Sequence, residues 1–137
     1  MSPLGISGLA HLGVAVRSLD EAIPLWTQKL GFTLSGTETL PSMALKIAFL
    51  RAGNAVIELL EPTSPDSPVG RFLEKRGEGI HHVSFHVADL EAALTRATGQ
   101  GLELIDRTPR EGSHGARIAF LHPRAAGGVL IELCERR

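Results

Sequence analysis

Two histidines and two glutamates recur along this chain in a pattern that invites a chemical reading. His11 and His82 stand 71 residues apart, and Glu58 and Glu132 stand 74 apart. Each glutamate interrupts an aliphatic run, Ile57-Glu58-Leu59 and Ile131-Glu132-Leu133. A carboxylate placed mid-strand is unfavourable by roughly several kcal/mol if it is buried without a partner. A single histidine or glutamate in a strand is usually structural; the paired recurrence favours a shared role. A divalent cation is the simplest compensating charge. Two imidazoles and two carboxylates form a mixed N/O donor set suited to Co, Mn, Ni, Fe or Zn. A six-coordinate ion would leave two adjacent positions for water or a chelating substrate.

The elements that must position these residues are themselves repeated. His11-Leu-Gly-Val-Ala-Val-Arg-Ser-Leu-Asp-Glu-Ala22 aligns with His82-Val-Ser-Phe-His-Val-Ala-Asp-Leu-Glu-Ala-Ala93, and Ile47-Ala-Phe-Leu50 with Ile118-Ala-Phe-Leu121. Ile57-Glu-Leu59 then returns as Ile131-Glu-Leu133, the extra residues falling in the loop Pro123 to Gly128. Two copies in one order mean a duplicated module.

Each copy reads as a strand (9–16 and 81–87), an amphipathic helix (19–30 and 90–100) and three further strands. Those strands are predicted at 32–39, 45–51 and 54–61, then at 102–108, 116–121 and 128–134. Ser18 and Asp89 are suitable N-caps, and Gly31 and Gly101 suit the helix ends. Pro24 should cost the first helix a hydrogen bond. Strand alternation places Leu12, Val14 and Val16 on one face and His11, Gly13 and Ala15 on the other; it separates Val83, Phe85 and Val87 from His82, Ser84 and His86 in the same way. The apolar faces should pack on the helices, and the histidine faces should line a cavity. Register therefore prefers His82 to His81. His86 is expected to be a polar lining residue, His114 and His122 surface residues, and Cys134 a small buried one. Arg51, Arg117 and Arg124 are expected to be solvated rather than bound to phosphates.

Three prolines in Pro62-Thr-Ser-Pro-Asp-Ser-Pro68 exclude a regular element there, and Val69 to Lys75 should form a short helical turn. The expected organisation is one domain, 1–137, with module one at 6–61, a connector at 62–79 and module two at 80–137. Neither module alone, at ~55–60 residues, buries much surface. The formal net charge of -1 gives no basic footprint for nucleic acid. No apolar run is long enough to span a membrane. The single cysteine excludes an intrachain disulfide, and with no secretory signal in the sequence a cytoplasmic protein is expected.

Paired βαβββ modules carrying His–Glu–His–Glu at these places resemble the vicinal oxygen chelate (glyoxalase/bleomycin resistance/dioxygenase) superfamily, over almost the whole chain. Two stretches resemble its methylmalonyl-CoA epimerase branch. One is Ile57-Glu-Leu-Leu-Glu-Pro-Thr-Ser-Pro-Asp-Ser-Pro68 with Phe72-Leu-Glu-Lys75 and Gly79-Ile-His-His-Val83. The other is His114-Gly-Ala-Arg-Ile-Ala-Phe-Leu-His-Pro123 with Gly127-Gly-Val-Leu-Ile-Glu132.

The resemblance implies an α+β, glyoxalase-like fold: two tandem modules forming a partly open, eight-stranded, barrel-like sheet around a metal site. It implies one divalent ion (Co, Mn, Ni, Zn or Mg, with Co or Mn favoured) on His11, Glu58, His82 and Glu132. It also implies an acyl-CoA substrate, a homodimer, and exchange of (R)- and (S)-methylmalonyl-CoA by proton transfer through a metal-stabilised enolate. Glu132 resembles the carboxylate that serves as both ligand and base. The family's second base, a glutamate before the third strand, aligns with Ser42; Glu38, or a water held by Ser42, is the substitute to consider. Glyoxalase I-type isomerisation, a ring-cleaving dioxygenase and non-catalytic small-molecule binding are the alternatives within the superfamily.

Overall fold

The computed structural model describes residues 3–135. Module one runs β1 (Ile6–Ala15), α1 (Leu19–Pro24), β2 (Thr33–Leu40), β3 (Leu45–Ala52) and β4 (Ala55–Pro62). A connecting helix α2 (Pro68–Arg76) follows. Module two runs β5 (Gly79–Val87), α3 (Leu90–Gly99), β6 (Arg110–Glu111), β7 (Arg117–Leu121) and β8 (Ile131–Glu135). Strand order in module one is β2-β3-β4-β1, and in module two β6-β7-β8-β5. The first strand of each module pairs in parallel with the last, and the hairpins are antiparallel. These are the two βαβββ modules that the repeat predicts.

The compact units do not follow the module boundaries. One unit comprises residues 11–81, the other residues 3–10 with 82–135. The beginning of β1 therefore belongs with module two: Leu4 and Ile6 pack on the α3 core, and the Ser7 hydroxyl donates to the His86 carbonyl.

Both helices start as the sequence predicts. The Ser18 side chain accepts from the Glu21 amide, and Asp89 from Ala92. A second cap was not foreseen. Glu61 accepts from the Leu19 amide at 2.8 Å and Glu135 from the Leu90 amide at 2.9 Å, so the last strand of each module caps its own helix. Gly31 and Gly101 take the positive φ angles that end these helices.

Three elements correct the sequence reading. The helix expected over 19–30 divides at Pro24, which has no N–H to offer. The chain continues as a π-helical turn, Leu25–Lys29, with Leu30 N–H bonded to the Leu25 carbonyl. The strand expected over 102–108 reduces to an isolated bridge, Leu104 with Leu121, followed by the two-residue β6. There the Asp106 carboxylate accepts from the Phe120 amide, so a side chain does the work of the ladder, and Pro109 offers no donor. The connector forms a nine-residue helix rather than a turn; Ser67 caps it, and it ends on Gly77 at positive φ.

In module one the two sheet faces bury separate cores. Leu12, Val14 and Val16 pack with Leu19, Ala22 and Trp26 against the first helix. On the histidine face, Ala15, Ile47, Phe49 and Leu60 pack under Val69 and Leu73 of α2. In module two, Phe85, Val87 and Leu133 pack on Leu90, Ala93, Leu94 and Ala97 of α3. The first helix of each module thus takes the apolar face, while α2 covers part of the histidine face of module one.

Candidate functional site

Each module builds the same half-site. On β1, His11, Gly13 and Ala15 share a face, and Gly13 is the register partner of Glu58 on β4. On β5, His82 and Ser84 share a face, and Ser84 is the register partner of Glu132 on β8. His11 Nδ1 lies 3.3 Å from Glu58 Oε2, and His82 Nε2 lies 3.8 Å from Glu132 Oε2. All four side chains are buried. Directly across the antiparallel ladder from each glutamate stands a phenylalanine, Phe49 opposite Glu58 and Phe120 opposite Glu132. The Phe120 ring meets the His82 imidazole edge-on at 5.6 Å.

Burial dominates the electrostatics of the second half-site. It pushes the Glu132 carboxyl up to about 7, against the opposing pull of the Ser84 hydroxyl and the Arg110 charge, with Asp106 adding a smaller push upward. Glu132 is only 4% exposed. A buried carboxyl held so far above the ordinary carboxylate range is what a divalent cation would bring back down. Each half-site offers one imidazole and one carboxylate, donors that suit a borderline first-row ion.

The other sequence candidates separate clearly. His81 lies edge-on to Phe72 of α2, 5.1 Å between ring centres, and burial pushes its imidazole down to about 4. It stays neutral there as a packing residue. Cys134 is buried, and His86 is half-buried in register with it. His114 is exposed in the turn Ser113–Gly115, and His122 accepts from the Arg124 amide as a cap. Arg117 pairs with Glu135 and Glu91, and Arg124 with Glu103. Ser42 is exposed in the short 3-10 turn Pro41–Met43. Glu38 is half-buried on β2 opposite Ile47, whose side chain belongs to the core on the histidine face of module one. Antiparallel partners share a face, so Glu38 lies on the same side of its sheet as Glu58.

Sequence reasoning missed Arg110 and its holder Asp106. Arg110 stands opposite Ile118 in β6–β7, its guanidinium 5.2 Å from the Phe120 ring centre, and its Nε donates to Asp106 at 3.2 Å. The fixed repeat offset pairs Arg110 with Thr39, which conceals it. Phe49 and Phe120 were visible in the repeated Ile-Ala-Phe-Leu blocks, and strand alternation from the glutamates would have placed them at the site.

A family model described as the Glyoxalase/Bleomycin resistance protein/Dioxygenase superfamily matches residues 10–120. The chain is 43% identical over 127 residues to the uncharacterized protein YqjC of Bacillus subtilis, covering 93% of this chain and 91% of that one. The crystal structure of methylmalonyl-CoA epimerase from Mycobacterium tuberculosis superposes with a TM-score of 0.94 at 38% identity, covering 100% of this chain and 93% of that one. A methylmalonyl-CoA epimerase in complex with methylmalonyl-CoA and NH4+ superposes with a TM-score of 0.92 at 35% identity, covering 96% and 95%.

Proposed function

The chain belongs to the Glyoxalase/Bleomycin resistance protein/Dioxygenase superfamily, and from that premise we propose that it is a metal-dependent epimerase interconverting (R)- and (S)-methylmalonyl-CoA. The observation that carries the reading is the pair of register-equivalent, buried His–Glu half-sites. The epimerases it superposes on at 35–38% identity supply the substrate class.

His11, Glu58, His82 and Glu132 would hold one divalent ion. That ion, when bound, supplies Lewis-acid stabilisation of negative charge on the thioester oxygen. The chain's own residues carry the proton. Glu132 takes or returns the α-proton on one face of the substrate carbon. Inversion requires a second group on the opposite face. Glu38 is the better candidate for that role. It is a carboxylate on the histidine face of module one, whereas Ser42 is an exposed hydroxyl whose ordinary acidity is far too weak for a base. Phe49 and Phe120 stand in register beside Glu58 and Glu132 as apolar neighbours of the carboxylates. The four ligands, the roles of Glu38 and Ser42, the single 1–137 domain, the homodimer and the cytoplasmic location form one reading. Its support is the duplication and the shared fold.

The test is exchange in deuterated water. Metal-replete protein should incorporate deuterium at carbon 2 of both methylmalonyl-CoA enantiomers and equalise them. Absence of exchange, together with turnover of methylglyoxal plus glutathione, would replace this reading with a glyoxalase I-type isomerase.

A further inference from the structure

Ser84 is 0% exposed, lies on the face of β5 that carries His82, and is the register partner of Glu132. Its hydroxyl oxygen has no partner of ordinary hydrogen-bond geometry among the described residues. A hydroxyl buried in that state costs stability. The Glu132 carboxyl beside it nevertheless feels the hydroxyl as a donor. The two side chains thus stand close to a hydrogen bond without having formed one.

The duplication isolates what this hydroxyl adds. His82 and Glu132 repeat His11 and Glu58, and Gly13 holds the place of Ser84 as the register partner of Glu58. Glycine offers no side-chain donor from that place. The two half-sites therefore share an imidazole and a carboxylate, and differ by one hydroxyl set beside the carboxylate of module two. Packing alone would be served by alanine, which buries no polar atom.

We propose that Ser84 is a positioning residue for Glu132: its hydroxyl holds the ionised carboxylate in the orientation that serves the half-site, a constraint Glu58 does not receive from Gly13. This rests on the metal-dependent reading above and deepens it, because it gives the fixed orientation to the one carboxylate assigned both a ligand's and a base's role. Ser84 acts through Glu132 alone. Hydrogen-bond partners of metal ligands set the ligand's orientation, and loss of one typically costs roughly 10- to 100-fold in affinity or activity.

Stepwise addition of Co(II) alone to metal-free protein, read by visible absorption, tests the assignment without turnover. Ser84→Ala should weaken Co(II) binding roughly 10-fold or more and shift the absorption bands. The melting temperature of the metal-free variant should stay at or above that of wild type, because no formed hydrogen bond is lost with the hydroxyl. In the metal-saturated enzyme, kcat for methylmalonyl-CoA should fall about 10-fold with KM within about twofold. Ser84→Thr, which keeps the hydroxyl, should recover Co(II) affinity even where its added methyl lowers the melting temperature. Unchanged Co(II) affinity and spectrum in Ser84→Ala would overturn the proposal. So would a Ser84→Thr variant as weak as Ser84→Ala, or a loss of Co(II) affinity matched by a loss of metal-free stability. A wild-type protein that binds Co(II) yet exchanges no α-deuterium would instead overturn the epimerase reading. The two failures are thus distinguishable.

Discussion

Removal of the divalent ion should expose a contribution to stability from Glu132 that is lost as pH rises. Burial holds its carboxyl at about 7 in the metal-free fold, against 4.5 for the free group. At about 1.4 kcal/mol per pH unit, that gap corresponds to ~3 kcal/mol. The sign follows from proton binding. Between these two values the folded chain holds a proton that the unfolded chain has released, so folding is penalised progressively from pH ~4.5 to ~7 and levels off above. His81 acts in the opposite sense. Burial depresses it to about 4, so its neutral form favours folding, and that contribution is lost as pH falls below its unfolded value. Comparing chelator-treated wild type with Glu132→Gln therefore isolates the glutamate. Urea unfolding at pH 5 and pH 8 should show wild type losing ~3 kcal/mol relative to the variant, a difference on the order of 10 °C in Tm. Added Co or Mn should abolish the fall for wild type. Parallel pH curves for the two metal-free proteins would refute the claim that Glu132 is buried at an energetic cost.

The proton-transfer roles separate by stereochemistry. Glu38→Gln should slow inversion at least ~100-fold while α-deuterium exchange from one enantiomer persists, and Ser42→Ala should stay within about twofold; chiral analysis of the recovered thioester reads both. Gly70→Ala should destabilise the fold by roughly 2–3 kcal/mol in urea, because an added Cβ would lie 2.5 Å from the Ser64 carbonyl oxygen and 2.7 Å from that of Pro65, lifting α2 from the core on the histidine face. Glu61→Gln should cost ~1 kcal/mol by weakening the cap on Leu19, with little effect on substrate affinity.

What could be read from the sequence was whatever the duplication repeated within matching blocks. His11 with His82, Glu58 with Glu132, and Ser18 with Asp89 all lie in blocks that strand alternation and capping chemistry interpret directly. The Glu61 and Glu135 caps are repeated too, but nothing local marks a carboxylate at a strand end as the partner of an amide dozens of residues away. The π-helical turn after Pro24 was half legible: the missing donor was foreseen, the wider turn that absorbs it was not. The strand over 102–108 has strand-like composition, yet it gives way because Asp106 competes for the amide that a ladder would use.

That same competition explains why the duplicated halves are not interchangeable. At the equivalent place in module one, Ser35 sits at a β-bulge between Leu34 and Gly36 and donates its hydroxyl to the Phe49 carbonyl. Both modules therefore break their outer ladder beside the phenylalanine that faces the glutamate, and both mend it with a side chain. Serine mends it neutrally, and β2 continues as a full strand. Aspartate mends it with a charge that can also hold a guanidinium, and the outer strand shrinks to two residues, Arg110 and Glu111. Each module thus carries its own His–Glu pair, while among the described residues the anchored cation occurs in module two alone.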